Sequence, residues 1–72
     1  MKEVEALKNE LVQNYEFTDY ERSDDGGLNV GYKDVMITLY DDLTYYPHTL
    51  NIELTKEIQG IIIEAINAIR NF

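Results

Sequence analysis

Apolar residues recur at two different spacings along the chain, and each spacing predicts a different element. Val4, Leu7, Leu11 and Tyr15 fall every three or four positions, with Lys2, Glu3, Glu10 and Gln13 on the other side. That period predicts an amphipathic helix over residues 2–14. From Tyr15 to Arg22 the period shortens to two, with aromatics and Thr18 alternating with charges as in a half-exposed strand. Ser23-Asp24-Asp25-Gly26-Gly27 then combines glycines, which accept positive φ, with aspartates, which bond their own backbone, and predicts a turn.

Leu28, Val30 and Tyr32 alternate with Asn29, Gly31 and Lys33, after which Val35, Ile37 and Leu39 alternate with Met36, Thr38 and Tyr40. The parity of the apolar positions switches in between. Either a tight turn at Tyr32-Lys33-Asp34 separates two strands, or one long strand carries a bulge near Gly31. Asp41-Asp42 predict a further turn, and Tyr45-Tyr46-Pro47-His48 a loop, since Pro47 has no amide proton for a ladder. Leu50, Ile52 and Leu54 alternate as a final short strand. Thr55 is expected to cap a closing helix with Glu57 in its first turn and Arg70 in its last, where the helix termini favour those charges. Ile58, Ile61, Ile62, Ala65, Ile66, Ile69 and Phe72 form its apolar stripe, and Ile63 falls outside it. Gly60 costs about 1 kcal/mol relative to Ala inside a helix and suggests the close approach of another backbone. The expected architecture is α+β: one domain over residues 1–72, α-β-β-β(-β)-α, with an antiparallel sheet and both helices packed on one face.

Composition narrows the class. With 72 residues the chain has room for a single core, and 44% hydrophobic content is too high for a disordered acidic tail. The sequence contains no cysteine, so neither disulfides nor thiolate metal ligands reinforce that core. Met1 to Glu5 lack the apolar run of a signal peptide, and Ile58 to Ile69 fall far short of the ~20 residues that cross a bilayer. A soluble, cytoplasmic protein is expected.

Catalytic chemistry finds few candidates. Ser23 lies inside a turn and His48 follows a proline, which gives no nucleophile with a base beside it. Gly26-Gly27 lacks the lysine and spacing of a phosphate-binding loop. Asp24-Asp25 and Asp41-Asp42 have neither calcium-loop spacing nor a histidine placed to share a cation. The chain is therefore expected to be no enzyme and to need no cofactor or metal.

Charge is the informative property. The formal net charge is −8, and the sequence pI is near 4.3. Residues 10–42 hold Glu10, Glu16, Asp19, Glu21, Asp24, Asp25, Asp34, Asp41 and Asp42 against Arg22 and Lys33 alone. Such a field repels nucleic acid and anionic membrane and attracts a basic protein surface. If Val35, Ile37 and Leu39 face the core, then Met36, Thr38 and Tyr40 face outward, joined by Tyr20 if Phe17 is a core residue. Tyrosine suits an interface because it offers large area at low entropic cost. The expected partner-binding residues are Glu16, Asp19, Tyr20, Glu21, Asp24, Asp25, Asp34, Tyr40, Asp41 and Asp42, acting on the basic surface of a nucleic-acid-binding protein. In size, charge and lack of cysteine the chain is similar to the general class of phage-encoded inhibitors of host defence, including anti-CRISPR and DNA-mimic proteins. That likeness is one of composition and covers no motif. An immunity protein or antitoxin capping a basic nuclease would use the same physics. The contrasting expectation is a homo-oligomer, a homodimer for instance, whose acids serve only solubility.

Overall fold

The chain runs α1 (Glu3–Asn14), β1 (Thr18–Arg22), β2 (Leu28–Tyr32), β3 (Val35–Leu39), β4 (Tyr45–Pro47) and α2 (Ile52–Arg70). The structure is a computed structural model and describes residues 3–22 and 26–71. The strands form one antiparallel sheet in the order β1-β2-β3-β4. Both helices lie on one side of it, so the core is a single layer between sheet and helices. Leu7 and Leu11 of α1, Val30 of β2, Ile37 and Leu39 of β3, and Ile58 and Ile62 of α2 are all removed from solvent there. Fully burying each such side chain contributes roughly 1.5–3 kcal/mol.

Local chemistry explains the joints. At the end of α1 the Leu11 carbonyl accepts from the amides of both Tyr15 and Phe17, at 3.1 and 3.2 Å, while Glu16 takes a left-handed φ of 64°. This reversal seats Phe17 in the core and stacks it on Tyr32, with ring centroids 4.7 Å apart. The strand consequently starts at Thr18 rather than Tyr15. The parity switch after Tyr32 is a turn and not a bulge: Tyr32 pairs with Val35, and Lys33 and Asp34 between them have φ of 48° and 67°. Two consecutive positive φ values are what a tight hairpin of right-handed twist needs. Between β3 and β4 the Tyr40 amide donates to Thr44 and the Leu43 amide to Tyr40, both at 2.9 Å, with Leu43 left-handed at φ 67°.

Four expectations are corrected in the C-terminal half. Residues Tyr45–Pro47 form an edge strand, not a loop, with Pro47 opposite Ile37. An edge strand has one side without ladder bonds and so tolerates a residue with no amide proton. The alternation Leu50, Ile52, Leu54 is not a strand: Asn51 accepts the Leu54 amide on its side-chain oxygen at 3.0 Å and starts α2. Asn51 is therefore the cap, and Thr55, already inside the helix, donates its hydroxyl to the Asn51 carbonyl at 2.9 Å. Finally, a Cβ placed on Gly60 would meet nothing within 4 Å, so among the described residues no backbone outside its own helix closes on that position. Phe72, expected in the α2 stripe, lies outside the described residues.

Candidate protein-binding surface

With both helices on one side, the other face of the sheet is open. Register fixes what it presents. Gly31 of β2 lies between Thr18 of β1 and Met36 of β3, and the Met36 carbonyl accepts the His48 amide at 2.8 Å. One row further, Asn29 pairs with Thr38 and Thr38 with Tyr46. The Tyr20 ring covers Gly31 so closely that a Cβ there would stand 2.5 Å from its Cε2. Glycine thus lets a tyrosine lie against the sheet. Tyr20, Met36 and Tyr46 keep 46, 43 and 58% of their surface exposed, which makes them the large apolar groups of this face.

A polar link holds the centre in place. Thr38, only 4% exposed, donates its hydroxyl to Asn29 Oδ1 at 2.8 Å and lies 3.0 Å from His48 Nε2. The hydroxyl carries one proton and gives it to Asn29, so His48 Nε2 is the donor in the second bond. The His48 ring in turn packs edge-on against Tyr46, with centroids 4.9 Å apart. His48 is committed to this network, and Ser23, the single serine of the sequence, lies outside the described residues.

The acids are divided by the fold. Asp34 sits in the β2–β3 turn at one end of the sheet, and Asp41 and Asp42 sit in the β3–β4 turn at the other. The ends are separated by a five-residue strand, roughly 17 Å at about 3.3 Å per residue. Asp42 accepts the Thr44 hydroxyl and, at 3.0 Å, the Thr44 amide, and these bonds hold its carboxyl below the usual aspartate value. Glu21 is exposed near the end of β1, and Glu16 is exposed at the joint between α1 and β1. Asp19 departs from the expectation that it projects with the others: it lies 3.4 Å from Lys8 of α1, on the helix side. Tyr40 stands half-buried at the head of the β3–β4 turn. Asp24 and Asp25 lie outside the described residues. The described carboxylates therefore bracket the open face from both ends instead of forming one contiguous patch.

The cations show the opposite arrangement. Lys8, Lys56 and Arg70 stand on the helices. Arg22 reaches Glu5 of α1 at 3.6 Å, and Lys33 reaches Glu57 of α2 at 2.9 Å. Glu57 thus draws Lys33, in the β2–β3 turn, toward the helices. Glu57 also accepts the Tyr32 hydroxyl, and these two donors, the phenol first, lower its pKa. Arg70 bonds Glu3 at 3.0 Å, tying the two helices together. Among the described residues, no Lys or Arg stands on the open face.

The chain matches no protein-family model, no curated protein and no solved structure. Among the described residues there is no group of three or more His, Asp or Glu placed to hold a metal ion, and no helix long and apolar enough to cross a membrane. Sequence reasoning missed Asn29, Tyr46 and His48. Pro47 argues for a loop over Tyr46 and His48, whereas their period-two spacing is the signal for a strand.

Proposed function

We propose that this chain is a non-enzymatic binding protein that lays its open sheet face on a basic surface of another protein. The observation that carries the reading is the sorting of charge: every described cation is drawn to the helices, leaving Tyr20, Met36 and Tyr46 between acidic turns with no positive group among them. An interface built this way has an apolar, aromatic centre and a charged rim. The rim steers association and suppresses anionic partners, while the centre supplies the buried area. A cytoplasmic nucleic-acid-binding protein has the required basic surface, and occupying it would inhibit it. Literal imitation of a phosphate row is the narrower form of this proposal. It is less well supported, since the acids fall into two groups roughly 17 Å apart rather than at phosphate spacing.

The test is capture from lysate on the immobilised chain with salt-step elution, run beside Asp41→Lys/Asp42→Lys and Tyr46→Ser. A basic protein held by the parent, released by moderate salt and lost from both variants supports the proposal. Capture that ignores salt and both substitutions overturns it. A second reading, self-association, is favoured by one observation on the opposite side: Ile63 of α2 is 52% exposed beside a glycine with open space around it. Salt-insensitive dimerisation in sedimentation, abolished by Ile63→Lys, would establish that reading.

A further inference from the structure

We infer that the group recognised by the open face is arginine, carried on an extended segment of the partner, and not cationic charge in general; this rests on the binding reading above. Two features of the face select the guanidinium. The first is its aromatic centre. Tyr20 lies over Gly31 with its outer side toward solvent, and Tyr46 is more than half exposed beside His48. A guanidinium is planar, weakly hydrated and stacks on such rings, whereas an ammonium is a compact, strongly hydrated point charge. The second is the placement of carboxylates at the two ends of the sheet, Asp34 at one and Asp41 with Asp42 at the other. Carboxylates take a guanidinium through two parallel hydrogen bonds, which an ammonium cannot form. Because the ends are separated by one five-residue strand, an extended partner segment of about five residues laid along β3 reaches both, with the Tyr20 ring over Gly31 of β2 on one flank and Tyr46 of β4 on the other. Asn29 and Thr38 line the track between, already bonded to each other and to His48, so the centre needs little rearrangement on binding.

The experiment compares octa-arginine with octa-lysine, two probes of equal charge, by amide chemical-shift titration of the full chain at fixed salt. The expected result is at least about fivefold tighter binding of octa-arginine, the gain of two stacked guanidinia. Its shifts should centre on Tyr20, Asn29, Thr38, Tyr46 and His48. Tyr46→Phe keeps the preference because the ring remains, and Tyr46→Leu loses most of it. Parent-like dispersion is expected for the Tyr46→Phe spectrum and would show that the site tolerates substitution. Equal affinity for the two peptides at this face overturns the arginine inference and leaves a cationic partner standing. Shifts confined to the helices, or an arginine preference that survives Tyr46→Leu, also overturn it. Binding of neither peptide removes both this inference and the reading beneath it.

Discussion

Replacing Thr38 by Val removes a hydroxyl from the middle of the open face while preserving shape. The hydroxyl makes two bonds, to Asn29 at 2.8 Å and to His48 at 3.0 Å, from a residue that is 4% exposed. A neutral hydrogen bond contributes about 0.5–1.5 kcal/mol net. Asn29 is half-buried and His48 exposed, so the groups they free can turn to water, which keeps the cost near the lower end for each. The valine methyl recovers a few tenths by apolar contact. The expected net loss is about 1–2 kcal/mol. For a domain of this size that lowers the thermal midpoint by roughly 4–8 °C per kcal/mol and the urea midpoint by about 1 M or more. Thr38→Ser keeps both bonds and loses only a methyl, about 0.8 kcal/mol, and so should fall between the parent and Thr38→Val. A Thr38→Val midpoint equal to or above the parent's would refute the reasoning, since it would mean the hydroxyl link contributes nothing.

Asp34→Gly places a residue without a Cβ at φ 67°. It relieves a conformation costing about 1 kcal/mol or more, against up to about 1 kcal/mol of added unfolded-state freedom. Urea melts should show equal or slightly higher stability, and a loss above 1 kcal/mol would show that the carboxylate stabilises the turn. Gly31→Ala forces the Tyr20 ring off the sheet, so the Tyr20 ring resonances should move to less shielded positions, while stability changes by no more than about 1 kcal/mol. Unchanged ring shifts would contradict the geometry. Glu57 is held below its ordinary value of 4.5 by the Tyr32 hydroxyl and Lys33. Its contribution to stability is therefore present above that value and fades as the pH falls through the lowered one. The melting temperature of Glu57→Gln should lose less between neutral pH and pH 3 than the parent's does, and parallel curves would sink the claim.

Elements were legible wherever periodicity was long. Val4, Leu7 and Leu11 mark α1 because three turns of helical spacing have no strand alternative, and Ile58, Ile62 and Ala65 do the same for α2. Short patterns misled. Leu50-Asn51-Ile52-Glu53-Leu54 alternates like a strand, yet Leu50 is fully exposed and the cap bond from Leu54 to Asn51 starts the helix there. Lys33-Asp34 lacks the asparagine or glycine that usually announces a two-residue turn, so the parity switch alone could not separate turn from bulge. The open face was partly readable: outward Met36 and Tyr20 follow from inward Ile37 and Phe17. The division of the acids was not, because which end of the sheet a turn occupies, and which carboxylate a helix lysine reaches, depend on how distant segments pack.

The withdrawal of cations toward the helices has a kinetic consequence. It makes the molecule electrically lopsided between its helix side and its sheet side, so a positively charged body nearby exerts a torque as well as a pull. Rotation brings the sheet to the front before contact, and fewer collisions are wasted on the wrong side. That sorting works only within a screening length, about 10 Å at 0.1 M ionic strength. Productive encounters should therefore become rarer as salt is added.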